Sequence, residues 1–181
     1  MGDLALYMVN RVWMKTGDML LWANQTPLGM AIRTLSHAAV NHASTIAVFQ
    51  GLGDLRVFTV EALGKGVCSN YLSSVLEHYN GEVWWYPLAD KWDFPEFRRF
   101  VENNMFKHIG TAYDVPSLLK NAVMHVQAND DKLFCSEDVF LDYGFTGTAP
   151  TPGEMPSLGM HKAPIKIMEL KENNSVWHDA R

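Results

Sequence analysis

Two β-prone runs, Ala43 to Phe49 and Leu55 to Ala62, flank the short stretch Gln50-Gly51-Leu52-Gly53, and this pairing constrains the chain more than any other feature. Such runs close as an antiparallel hairpin, with side chains alternating between the two faces. In the second run Leu55, Val57, Thr59 and Glu61 share a face, so a carboxylate stands in line with two aliphatic side chains and needs a partner if buried. With Phe49 opposite Asp54, across a four-residue loop, counting back along both strands sets His42 directly opposite Glu61. Their Cβ atoms would then lie about 4.5–5.5 Å apart. A slip of one residue would turn the two side chains to opposite faces. Taken singly, His42 is a loop-end histidine and Glu61 a strand-end carboxylate within reach of Lys65.

The flanking segments predict helices and further strands. Asp18 to Ala23 is short and apolar, hence strand-like. Thr26-Pro27 supplies an N-cap and first-turn proline for a helix over Pro27 to Val40, with Leu28, Ile32, Leu35 and Ala39 on one face and His37 on the other. Glu82 to Leu88 is an aromatic β-prone run. Within it Val83-Trp84-Trp85-Tyr86-Pro87 reads as alternating burial, with a ligand groove as the alternative. Helices are expected over Phe94 to Lys107, Val115 to Val126 and Cys135 to Tyr143, the last stopped by Gly144. Gly144 to Gly159, rich in Gly, Pro and Thr, is a loop before a closing strand over Ala163 to Leu170. This order gives an α+β class, one domain over residues 1–170 and a polar tail over 171–181.

Composition narrows the function. An apolar content of 48% over 181 residues supports a sizeable core. A formal net charge of -5, with no basic stripe, argues against nucleic acid as a partner. The two cysteines, Cys68 and Cys135, stand far apart and form no CxxC pair, so free thiols in a reducing, cytoplasmic setting are expected. No run reaches the roughly 18 apolar residues of a membrane span, and Met1 to Lys15 lacks a secretory pattern. Leu6 stands where a myristoylation signal after Gly2 wants Ser or Thr. Seven histidines raise the question of metal, yet none shows HExxH or another tight ligand spacing, so no metal site is expected.

Cys135 is the chemically pointed residue. In Leu133-Phe134-Cys135-Ser136-Glu137-Asp138 the apolar lead and the following acids put its thiol at a helix N-terminus, where free N–H groups and the helix dipole favour a thiolate. Glu137 and Asp138 read as capping groups of the first turn. A histidine beside the thiolate completes a nucleophile and base. Buried filler is the plain reading of a cysteine next to phenylalanine.

These residues resemble the permuted members of the NlpC/P60 superfamily, the YiiX-like papain-fold proteins. Gly17-Asp18-Met19-Leu20-Leu21-Trp22 comes first. Asn41-His42-Ala43-Ser44-Thr45-Ile46-Ala47-Val48 is similar to the family's "SHVGIV" block, with Asn41 where serine is usual, and Val60-Glu61-Ala62-Leu63-Gly64-Lys65-Gly66-Val67 to its "VIEA…GV" block. Gly110-Thr111-Ala112-Tyr113-Asp114 resembles "G…YD", and Phe134-Cys135-Ser136-Glu137 the "CSE" nucleophile. The resemblance spans Gly17 to Gly144, with histidine before cysteine. It implies a papain-like fold, a small antiparallel sheet packed with helices, with neither metal nor organic cofactor, and with Cys135 as nucleophile, His42 as base and Glu61 orienting it. His37 is the alternative base. It further implies a cysteine hydrolase or acyltransferase for an amide or ester bond, with a small-molecule, peptide, cell-wall or lipid substrate. Tyr113 reads as core packing, with oxyanion donor as the alternative. A papain-like fold used only to bind a ligand is the competing function.

Overall fold

The computed structural model describes residues 4–51, 53–114, 116–117, 120–121 and 132–170. Its centre is a six-stranded sheet in the order β4-β3-β2-β1-β5-β8, with every neighbouring pair antiparallel. The strands are β1 (Met19–Asn24), β2 (His42–Gly51), β3 (Asp54–Leu63), β4 (Gly66–Tyr71), β5 (Gly81–Tyr86) and β8 (Ile165–Met168). Two short strands, β6 (Ala112–Tyr113) and β7 (Lys132–Leu133), pair in parallel to one side. Helices α1 (Ala5–Asn10), α2 (Pro27–Ser36), α3 (Leu72–His78), α4 (Pro95–His108) and α5 (Cys135–Asp142) surround the sheet.

Strand β1 lies in the middle of the sheet, and Met19 to Ala23 are all buried, which accounts for an unbroken apolar run where an edge strand would alternate. On one face Leu20, Trp22, Ile46, Val57, Val83 and Trp85 pack with Tyr7 of α1 and with Leu72 and Leu76 of α3. On the other, Met19, Leu21 and Ala43 meet Val101 of α4 and Val139 of α5, while Ala47, Val60 and Ala62 meet Met105 and Leu133. Strand β5 alternates buried and half-buried, as expected for its aromatic run.

The hairpin forms, but in a different register. Gly51 pairs with Asp54 and Phe49 with Arg56, so only positions 52 and 53 lie between the strands, and the four-residue loop is corrected to two. Gly53 adopts φ +94°, the left-handed conformation that two-residue hairpin turns demand. The offset from the expected pairing is two residues. An even slip preserves the face, and His42 and Glu61 become diagonal neighbours instead of direct partners.

Other boundaries shift too. Helix α2 is capped by Thr26, whose Oγ1 accepts from Gly29 N at 3.1 Å, and carries Pro27 in its first turn. It stops at Ser36, four residues before the expected end, because His37 turns left-handed at φ +50°. Ala39 thus leaves the helix, and Leu35 is exposed; only Ile32 of that expected apolar face is buried among the described side chains. Most of the helix expected over Val115 to Val126, and the tail over 171–181, lie outside the described residues.

A buried polar hub fixes the entry to β1. Asp18, 1% exposed, accepts from Lys15 N, Trp85 Nε1, Leu88 N and Arg98 Nη1, the last at 3.0 Å. These four donors tie the start of β1 to β5 and α4, and so set the frame on which the far end of β1 and β2 is built.

Candidate functional site

His42 opens β2 at the end of the sheet facing α2 and the start of α5. Its Nε2 lies 2.9 Å from Glu61 Oε2 on β3. Glu61 is 4% exposed, and its other oxygen accepts from Asn70 Nδ2 of β4 at 3.4 Å. The carboxylate therefore has partners on both sides, as a buried charge requires. Lys65, its expected alternative partner, does not appear among the ion pairs of the described residues, and Glu61 is satisfied by His42 and Asn70.

Cys135 is the first residue of α5 and is 1% exposed. No side chain caps this helix at its N-terminal residue; Glu137 reaches back to accept from Phe134 N at 3.3 Å. That leaves helix-start N–H groups beside the thiol. Burial opposes the charged form of His42, but the neighbouring Cys135 and then Glu61 outweigh it and raise the imidazole pKa to about 10. Glu61 holds Nε2, which leaves Nδ1 as the ring nitrogen available to Cys135. Cys135, His42 and Glu61 are thus brought together from α5, β2 and β3.

His37 is not part of this group. It is exposed at the end of α2 and lines a separate cavity with Thr151 and Glu154. Tyr113 is half-buried against Ile32, Phe134 and Cys135, and burial with the neighbouring Cys135 charge raises its phenol pKa. It also lines the cavity beside His42, so packing and a place at the site coincide in one residue.

That cavity has a volume of about 470 Å³. Trp22, Ile32, Leu63, Val75 and Tyr79 give it apolar walls, and Asn24, Asn41, His42, Glu61 and Asn70 supply polar groups. Trp22 is held by its Nε1 donating to Ser44 Oγ at 2.8 Å and packs edge-on against Tyr79. Asn41 locks onto Asn24, accepting from its N–H and donating to its carbonyl. Trp84 and Trp85 do not line this cavity. The Tyr79 hydroxyl is buried there with no hydrogen-bond partner among the described residues.

Sequence reasoning missed three things. Asn70 as second partner of Glu61 comes from β4, and Tyr79 follows α3; neither element is marked by strong periodicity. The third is a cluster behind Cys135. His108 of α4 stands with Asp138 and Asp142 of α5, all buried, with one potential ligand atom from each lying within 4.8 Å of the others. Asp138, expected as a cap, instead points inward at 1% exposure, because a helix starting at Cys135 turns that position toward α4. The i, i+4 spacing of the two aspartates is the signal that could have found this cluster.

No protein-family model and no curated protein matches the sequence. Among solved structures the chain is similar to the crystal structure of the metalloprotein YiiX from Escherichia coli O157:H7 (DUF1105), with a TM-score of 0.56 and 20% identity. The match covers 71% of this chain, and the chain spans 64% of that protein's length. No helix among the described residues is long and apolar enough to cross a membrane. The α+β architecture is a YiiX-like fold.

Proposed function

We propose that this chain is a thiol-dependent hydrolase or acyltransferase of the permuted NlpC/P60, papain-like kind, acting on an amide or ester bond. The observation that carries the reading is His42 bonded to the Glu61 carboxylate, with the Cys135 thiol at the start of α5 as its electrostatic neighbour. His42 Nδ1 takes the Cys135 proton, and the thiolate attacks the substrate carbonyl. The tetrahedral oxyanion is stabilised by helix-start N–H groups. His42 then returns the proton to the leaving amine or alcohol, and water or an acceptor releases the acyl group. Glu61 keeps Nε2 protonated, so that Nδ1 carries the exchange. The apolar walls around Trp22, Ile32 and Val75 suit an apolar group beside the scissile carbonyl, whether of a peptide, a cell-wall fragment or a lipid.

One observation favours a second reading, a papain-like fold used for ligand binding. Cys135 is buried and is not among the residues lining the cavity that His42 and Glu61 reach. The test is a screen of peptide, cell-wall, acyl-lipid and thioester substrates with the parent chain and Cys135→Ala. Turnover that disappears in the variant supports the hydrolase. Ligand affinity without turnover, unchanged in Cys135→Ala, supports the binding module.

A further inference from the structure

We propose that His108, Asp138 and Asp142 form a binding site for one divalent cation of the zinc class, bracing α5 against α4 behind Cys135. The two aspartates project from successive turns of α5 and the histidine from the last turn of α4. His108 Nδ1 lies 3.0 Å from Asp142 Oδ1 and 3.3 Å from Asp138 Oδ1. Bonds of about 2.0–2.1 Å in a tetrahedral arrangement separate neighbouring ligand atoms by roughly 3.3 Å, close to both histidine–aspartate separations here, and the two aspartates each offer an oxygen within 4.8 Å of the other.

Asp138 gives the independent sign of a missing ligand. Its side chain is 1% exposed and faces the cluster, yet neither carboxylate oxygen has a hydrogen-bond partner among the described residues. The Nδ1–H of His108 is directed to Asp142, and Asp138 stands outside hydrogen-bonding geometry. A carboxylate at this depth with no hydrogen bond and only the His108 imidazole beside it at 3.3 Å is costly, and a cation with two aspartates and a neutral imidazole cancels the buried charge. Asp142 is oriented as a ligand would be: Thr45 Oγ1 of β2 donates to its Oδ2 at 2.8 Å, leaving Oδ1 toward the centre of the cluster. One imidazole nitrogen and carboxylate oxygens suit zinc or manganese better than magnesium or calcium, which favour all-oxygen shells. Cation binding displaces the proton on His108 Nδ1 and any proton held by the carboxylates to solvent.

The test uses the full chain stripped of metal by chelation and carrying Cys68→Ser and Cys135→Ala, so that no thiol competes. Calorimetric titration with Zn²⁺ is expected to show one equivalent bound, with a rise in melting temperature. Adding Asp138→Asn should weaken binding by roughly a hundredfold or more, since losing even an outer partner typically costs 10–100-fold. X-ray absorption on the zinc-loaded parent chain, independent of any variant's folding, should show only N/O neighbours at about 2.0–2.1 Å and no sulfur at about 2.3 Å. Absence of Zn²⁺ binding, sulfur in the shell, or equal affinity in a folded Asp138→Asn variant would each overturn the proposal.

Discussion

Glu61→Gln isolates what the carboxylate does for His42. Glutamine keeps the shape and can still accept a hydrogen bond from Nε2, while the charge is lost. In the parent chain His42 titrates at about 10 against an ordinary 6.5, although burial alone would push it below 6.5. A hydrogen bond to a charged group contributes roughly 1.5–3 kcal/mol. At about 1.4 kcal/mol per pH unit, replacing it with a neutral one should lower the midpoint by one to two pH units, to roughly 8–9, with the Cys135 thiolate still holding it above 6.5. Because the folded value lies above the unfolded one, the stability His42 contributes is complete below pH 6.5 and is lost as pH rises through about 10. In Glu61→Gln that loss should still begin near pH 6.5 but be smaller and end earlier, at roughly pH 8–9. The assay is an NMR titration of the histidine Cε1–H resonances from pH 5 to 11, with His42 assigned by comparison with His42→Gln. A midpoint unmoved by Glu61→Gln, or a parent His42 titrating near 6.5, would refute the electrostatic account of the pair.

Three further outcomes concern the frame around the site. Arg98→Met leaves the Asp18 carboxylate buried without its cation and should cost roughly 3–5 kcal/mol in urea denaturation; a change under about 1 kcal/mol would show that the backbone and Trp85 donors suffice. Gly66 adopts φ +106°, and a Cβ there would stand 2.7 Å from Thr111 O, so Gly66→Ala should destabilise by roughly 1–3 kcal/mol, read from the shift in denaturation midpoint. Tyr79→Phe removes a buried hydroxyl with no hydrogen-bond partner among the described residues, and stability should hold or rise by up to about 1 kcal/mol; a loss of more than about 1 kcal/mol would mean the hydroxyl is bonded in solution.

The hairpin shows how far the sequence could be read. Alternation in Leu55 to Glu61 placed Glu61 on an inward face, and that survives any even slip of register, so the His42–Glu61 contact was legible though the pairing was off by two. Loop length was not, because Gly51 serves equally as a loop residue or as the last strand position. Thr26-Pro27 gave the start of α2 correctly, since capping is local chemistry. Its end was missed: His37 adopts a left-handed conformation that is uncommon outside glycine, and a histidine, though enriched there, signals it only weakly. The β4–α3 segment carries Asn70 to Glu61, and Gly66–Tyr71 lacks both regular alternation and an apolar run. The His108, Asp138 and Asp142 cluster draws on residues 30 apart in sequence and on two helices whose relative placement only tertiary packing decides.

The poised thiol itself is tested most directly by reacting the intact chain near neutral pH with a thiol-directed acyl probe and mapping the modified residue by mass spectrometry. Cys135 should carry the label, and His42→Ala should slow its labelling by roughly a hundredfold or more, the low end for a lost base. Labelling confined to Cys68, which is more exposed than Cys135, or labelling of Cys135 at the same rate without His42, would contradict the account.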